Sequence, residues 1–490
     1  MIPNPDPTMP IALALDVGSS SVRVTAYGAD GHAQLAIGAY RHYAAATTAD
    51  GGAEFDAPQL LTHILECMDE AVQRAGSTPI AAIGVDTFAT NLIGLDSSGQ
   101  PITPVYMWND SRSRHYVAPF AANLTAHHYD RTGTPPHVSY WPPRFVWLAH
   151  EQPDVFRHAA RWLSIGEWLT LKLFGVAQVS TSLAAWTGMI DRRSGDWAAD
   201  LLDASGVRRE QLSVVSDQPF GALTAEFAAR WPSLQTTRWL PPIADGYAAN
   251  VGCGAINPQR AALTMGTSGA LRVLVSGNPE HLPEGLFCYK VNAHESLLGG
   301  ALSNAGNVFG WLKETLTIVH DPFDTLAEPD GHGLTVLPFW AGERSPGWHD
   351  NAQAAILGMT LHTTPDDIAR ASLEAVVYQL AAIDETLSGM FDKPPALFAA
   401  GGVLAGSPAW AQVVADVLGR DVTLCADPQA SARGSALLAL ASVSQVAGQA
   451  LETVIEPIAQ NVYHARPAFT ERYAAARKRQ GRAYDLLIKA

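Results

Sequence analysis

Residues 11–25 read IALALDVGSSSVRVT. An apolar run, 11–15, ends in Asp16. Gly18 and three hydroxyl residues, Ser19, Ser20 and Ser21, follow, and β-type residues resume at 22–25. The order predicts strand, tight turn, strand. Gly18 lets a backbone come close, and the turn N–H groups with the serine hydroxyls can hold phosphate oxygens. Asp16, at the end of a buried strand, suits a metal ion or its waters. Alone, the stretch reads equally well as an ordinary hairpin with a polar tip.

A second copy decides between the two. Residues 261–275 read AALTMGTSGALRVLV: an apolar strand, Gly266, then Thr267, Ser268 and Gly269, then a strand carrying an arginine. Gly266 lies 248 positions after Gly18, about half of the 490 residues. Two phosphate-type hairpins, each heading one half, predict a duplicated α/β fold with nucleotide held between the halves. The second copy has Thr264 where the first has Asp16, so the halves are not equivalent.

The chain is long enough for two domains with good cores. It is 47% hydrophobic and 16% charged, the composition of a globular protein. A net charge of −15 argues against a general binder of nucleic acid or of anionic membranes. The four cysteines, Cys67, Cys253, Cys288 and Cys425, form no CxxC pair and no zinc-spaced cluster, so reduced thiols of a cytoplasmic protein are expected. Residues 1–10 read as a flexible leader without signal-peptide character.

Further along, apolar spacing predicts a helix over 57–74. A buried strand over 80–85 runs into Asp86, Thr87, Phe88, Ala89, Thr90 and Asn91. Ligands of open α/β sheets gather at such carboxyl ends. Residues 105–114, VYMWNDSRSR, carry Trp108, Asp110 and Arg112. Residues 127–215, rich in Trp and Pro, read as a helical insertion. Asp245-Gly246 opens a small-residue helix, and the domain boundary is placed at 254/255. In the second half a helix is expected over 300–314, starting near Ser303 or Asn304, then the polar loop 342–347, and an amphipathic helix over 365–388. The strand ending in Gly401-Gly402 makes another close-approach turn suited to a nucleotide.

In this order the motifs resemble the FGGY family of carbohydrate kinases, within the actin-like ATPase superfamily. Those that carry the resemblance are the hairpin from Asp16 to Ser21, Trp108-x-Asp110-x-Arg112, Asp245-Gly246 and Gly266-Thr267-Ser268-Gly269. Gly342-Glu343-Arg344-Ser345-Pro346 and Gly401-Gly402, with Trp410 and Asp416 downstream, complete them. Within the family, Ala249-Asn250-Val251-Gly252, GTSGALR at 266–272 and the LPFWAGERSPGW stretch are similar to gluconokinases. Where xylulokinases carry Gln-Met-His, this chain has Phe88-Ala89-Thr90.

The resemblance implies two ribonuclease-H-like domains, 11–254 and 255–490, flanking a deep cleft. It implies ATP and Mg2+ as cofactors, a small sugar or sugar-acid substrate, and transfer of the γ-phosphate to a terminal hydroxyl. Gluconate leads as acceptor, with ketopentoses and polyols as alternatives. A catalytically silent ATP or sugar sensor is the reading of another class. A homodimer is compatible with all of them, and neither a membrane nor a nucleic acid is expected as partner. By position, Asp245 is the expected general base and Asp16 the Mg2+ residue. Gly18, Ser19, Ser20, Gly266, Thr267, Ser268, Asn307, Gly401 and Gly402 are expected around the ATP. Thr87, Thr90, Asn91, Trp108, Asp110, Arg112 and Gly246, with Asp245, are expected around the sugar. Arg112 could pair a substrate carboxylate, or be held structurally by Asp110.

Overall fold

The fold is described from a computed structural model covering residues 10–125, 127–318, 322, 328–446, 455 and 457–489. Positions 1–9 of the expected leader lie outside the described residues. The first sheet comprises β1 (Ile11–Val17), β2 (Ser21–Tyr27), β3 (Ala33–His42), β4 (Ile80–Thr87), β5 (Arg238–Trp239) and β6 (Ile243–Ala244). Its order is β5-β4-β1-β2-β3, with β6 also beside β4. β1 pairs antiparallel with β2 and parallel with β4. Five of its seven positions are buried apolar side chains ahead of Asp16, as a central strand covered on both faces requires.

The second sheet repeats this plan. It comprises β7 (Arg260–Met265), β8 (Gly269–Ser276), β9 (Phe287–Lys290), β10 (Glu295–Leu302), β11 (Ala396–Ala400), β12 (Val422–Cys425) and β13 (Ala459–Tyr463). Its order is β9-β10-β8-β7-β11-β12-β13. β7 and β8 form the second hairpin, and β7 pairs parallel with β11 as β1 does with β4. The duplication read from two turns therefore extends to whole sheets.

The helices follow their caps and apolar faces. α1 (Ala57–Ala75) begins where Asp56 accepts from the Gln59 amide, and it buries Leu60, Ile64, Cys67, Met68 and Ala71 along one face. α2 (Asp245–Gly252) follows β6 directly. α3 (Gly306–Thr315) starts later than expected, because 295–302 continues as β10 instead of turning helical. α4 (Pro365–Ser388) spans the expected residues, with a capping box between Thr364 and Asp367. α5 (Ala430–Val446) and α6 (Pro467–Leu487) complete the second half. The Trp- and Pro-rich insertion is less helical than expected. Short helices such as Trp141–Glu151 and Ile165–Phe174 alternate with two-stranded pieces such as Ile190–Asp191 with Asp196–Trp197. Its tryptophans pack as core, Trp141 against Trp197 and Phe145 against Trp162. No helix among the described residues is long and apolar enough to cross a membrane.

α5 belongs to the second half in sequence but lies across the first half. Its alanines pack with Ala12, Ala14 and Ala82 of β1 and β4, and it crosses α2 at backbone contact. A Cβ added at Gly434 would overlap the Ala248 carbonyl, and one at Gly252 the Ala430 carbonyl. Arg433 of α5 donates to the Gly31 and Gly252 carbonyls.

Glycine is required at this crossing and dispensable at Gly481. Gly434→Ala is expected to destabilise the protein by at least ~2 kcal/mol through overpacking. Gly481→Ala, in exposed α6 with open space around the new methyl, is expected to stabilise by roughly 0.5–1 kcal/mol. Midpoints of thermal unfolding of the two variants should move in opposite directions.

Candidate active site

The two hairpins face the cleft. In the first, Gly18 N–H donates to the Ser21 carbonyl at 2.9 Å, and the Tyr43 hydroxyl donates to the Gly18 carbonyl. Ser19 is half-buried and Ser20 exposed, so the serines are open to a ligand. In the second, Gly266 N–H donates to the Ser268 carbonyl at 2.9 Å. The start of α3 backs this turn: Gly306 and Asn307 amides donate to the Gly266 and Thr267 carbonyls. The Asn307 side chain is occupied locally, accepting from Ala305 and Val308 amides and donating to the Ser303 carbonyl. It shapes the turn, with one of its two amide hydrogens spent on the Ser303 carbonyl. Gly401 follows β11 at φ +116°, where a Cβ would overlap the Met265 carbonyl. Only glycine lets this strand end lie against the second hairpin. Gly402 is exposed beside it, with open space around it.

Three carboxyls converge at the ends of adjacent strands. Asp16 of β1 lies in register with Asp86 of β4. β6 runs alongside β4, with Ala244 opposite Thr87, so Asp245 emerges next to them at the start of α2. Burial pushes the Asp16 carboxyl up to about 6; Arg23, 3.7 Å away, opposes this and Asp245 adds to it. Asp86 is fully buried. One of its oxygens accepts from the Ser435 hydroxyl at 2.6 Å and the other has no hydrogen-bond partner. Burial and the Asp16 charge drive Asp86 well above the usual carboxylate range. A buried acceptor oxygen beside a second carboxylate fits a cation between or in front of them. Asp86, named at a strand end in the sequence but given no role there, is a candidate site residue at the end of the strand parallel to β1.

Asp245 opens into a cavity of about 80 Å³ between the halves. The Gly246 amide donates to its Oδ1 at 2.8 Å, and the Ala89 amide also bonds the carboxylate. Burial raises its pKa; Arg272, the two amides and Arg344 counter the rise. Thr90 and Trp108 line the cavity from the first half, and Ser268, Arg272 and Arg344 from the second. An aromatic wall closes it: Tyr289 stacks on Trp186 at 3.9 Å and shares a hydrogen bond with the Tyr140 hydroxyl at 2.7 Å. Thr90 has φ +57°, an uncommon conformation for a β-branched residue, and its buried hydroxyl has no partner. Such strain marks a residue held for its environment. Buried Arg144 holds it, donating to the Thr90 and Met107 carbonyls. Arg144 is a residue the sequence did not single out; nothing in its local pattern marks it.

Several sequence-predicted sugar residues stand elsewhere. Thr87 is fully buried against Gly166 and does not line the cavity. Asn91 is consumed structurally, donating to the Phe88 carbonyl and accepting from the Ile165 amide. Arg112 is clamped at 2.5 Å by both Asp110 and Glu54, with its guanidinium over the Tyr106 and Trp147 rings. Asp110 is saturated by Arg112 and the Ala53 amide. The pair is therefore the structural salt bridge of the two readings, and neither member lines the cavity. Gly246 does not line it either; it gives room to the Arg272 guanidinium, which a Cβ there would meet at 3.1 Å.

The profile of the N-terminal domain of the FGGY family of carbohydrate kinases matches residues 11–252, and that of the C-terminal domain matches residues 261–443. A gluconokinase of Bacillus subtilis is 27% identical over 89% of this chain and 88% of its own. A xylulose kinase of Escherichia coli is 26% identical over 82% of this chain and 83% of its own. The crystal structure of a gluconate kinase from Lactobacillus acidophilus superposes with a TM-score of 0.88, 26% identity and 98% coverage of both chains.

Structural and pocket roles separate experimentally. Arg112→Met leaves Asp110 buried without its cation and is expected to destabilise the protein by about 3–5 kcal/mol. Trp108→Ala, at a half-buried position on the cavity wall, is expected to weaken ligand binding in the cavity more than it lowers the unfolding midpoint. Thermal unfolding and ligand titration of the two variants check the contrast.

Proposed function

Because the chain belongs to the FGGY family of carbohydrate kinases, we propose that it transfers the γ-phosphate of ATP to a terminal hydroxyl of a sugar acid. D-gluconate, giving 6-phosphogluconate, is the leading acceptor. The observation that carries this reading is Asp245, a carboxylate held by two amides in a cavity that also reaches Ser268 of the second hairpin. The gluconokinase and gluconate kinase relatives support the acceptor. The xylulose kinase relative supports a ketopentose as the second reading.

In the proposed reaction the acceptor hydroxyl lies against Asp245. As its oxygen bonds to the γ-phosphorus, the hydroxyl proton passes to the Asp245 carboxylate, and the bond from phosphorus to the ADP oxygen breaks. The Ala89 and Gly246 amides keep the accepting oxygen oriented. Ser19, Ser20, Thr267 and Ser268, with their turn amides, hold the phosphates from both sides. Asp16, backed by Asp86, would hold Mg2+, which neutralises triphosphate charge when bound. Thr90 and Trp108 position the acceptor. The aromatic wall excludes water, which would otherwise compete as acceptor.

The ionised form of Asp245 is the active one, so activity is lost as pH falls through its pKa. Since that pKa is raised, the acid limb of kcat/KM is expected above the ordinary carboxylate value near 4. Asp245→Asn is expected to lower kcat by at least ~10³-fold while ATP affinity stays within about threefold, as loss of a base predicts. An ADP-release assay over gluconate, xylulose, ribulose, glycerol and erythritol tests the acceptor. Turnover on ketopentoses without gluconate would overturn the sugar-acid reading, and bound ATP with no turnover on any acceptor would favour a sensor.

A further inference from the structure

We propose that Arg272 and Arg344 form a clamp for the carboxylate of the acceptor and so select acidic over neutral sugars. This rests on the reading of the Asp245 cavity as the acceptor site. The two hairpins differ in their charges. In the first, Arg23 of β2 lies directly across from Asp16, which serves as its counter-ion at 3.7 Å. In the second, the position of Asp16 is taken by Thr264. There Thr264 lies across from Ala270; Arg272 of β8, across from Ala262, donates to the Thr264 hydroxyl at 3.2 Å and has no carboxylate in its own hairpin. It turns instead into the cavity, in the space that Gly246 leaves open.

Arg344 arrives independently, from the loop at 342–347 that follows the strand Thr335–Leu337. It donates to the Leu302 carbonyl and lies over the Trp108 ring at 4.6 Å. Both side chains line the cavity, and the Nε of each is buried without a hydrogen-bond partner. Among the described residues, Asp245 is the one carboxylate lining that cavity. Two guanidiniums against one carboxylate leave a surplus positive charge in a desolvated space. Burial of an uncompensated charge is costly, so a ligand anion is the natural complement. A planar guanidinium fork matches a carboxylate, and two of them favour an anion over a hydroxyl. Burial lowers the pKa of Arg344 only to about 10, so it remains charged at neutral pH. Arg112 cannot take this role, because Asp110 and Glu54 already occupy its fork.

The transferred phosphoryl group is the other anion that could meet the pair, and the test separates the two. Gluconate and glucitol, its uncharged counterpart, are titrated with and without a non-hydrolysable ATP analogue, following fluorescence of the cavity tryptophans. Arg272→Met and Arg344→Met are each expected to weaken gluconate roughly 10- to 100-fold, the loss of a charge-assisted hydrogen bond, and to leave glucitol within about threefold. The Arg→Lys variants should recover part of the loss. Equal losses for gluconate and glucitol overturn the clamp. So does unchanged gluconate affinity with lowered kcat on every acceptor, which assigns the pair to the phosphoryl group. If a Met variant fails to fold, judged by lost binding of the ATP analogue, the Lys variant decides: a several-fold loss confined to gluconate is expected, and an equal loss refutes. Wild-type protein that binds and phosphorylates neutral sugars alone would sink both the clamp and the sugar-acid reading. Normal gluconate phosphorylation by the Met variants would sink the clamp alone.

Discussion

Asp245 is placed where burial works against its ionisation, and the charges that keep it usable come from the other half of the chain. Its own half supplies two amides, from Ala89 and Gly246. Arg272 and Arg344, the cations that counter the burial, stand on the second half. Base and compensating charge therefore exist together only when the halves are apposed as they are here. The Asp245 carboxylate is thus assembled with its environment by the apposition of the halves.

The apposition has its own structural cause. α5 leaves the second half and lies on β1 and β4 of the first, crossing α2 at Gly252 and Gly434. α2 begins with Asp245, and Ser435 of α5 donates to Asp86. The elements that join the halves thus also touch two of the three cleft carboxyls. A helix crossing at backbone contact tolerates little displacement, because interiors are close-packed and bulk cannot be added without strain. Position of the carboxyls and position of the domains are one constraint.

Duplication followed by divergence explains the asymmetry of the cleft. Both sheets have the same strand order around a hairpin, but an aspartate survives in one and a threonine stands in the other. Asp16 with Asp86 makes one side anionic, fit for a cation. Thr264 leaves Arg272 without a carboxylate in its own hairpin, and Arg272 faces Asp245 of the first half instead. One architecture thereby carries differently charged turns on the two sides of a single cleft.

Much of this was legible in residue order. Hairpins at Gly18 and Gly266, the cavity positions of Thr90 and Trp108, and the extent of α4 depend on local chemistry: glycine turns, hydroxyl runs and apolar periodicity act over a few residues. What failed did so where long-range contacts decide. Thr87 and Asn91 stand on the expected segment, but strand alternation and the helix Ile165–Phe174 turn them inward. Arg112 reads as an anion receptor until Glu54, far off in sequence, closes its second side. Arg144 carries no local signature, and Asp86, Arg272 and Arg344 stand in recognisable stretches that assign them no role, because their partners lie on other strands and on the other half. The sequence by itself determined the duplicated fold and its two glycine hairpins, and its family resemblance pointed to Asp245 as the candidate base. Only the tertiary structure decided which cations face that base, since a buried charge takes its partner from whatever the fold brings within reach, irrespective of distance along the chain.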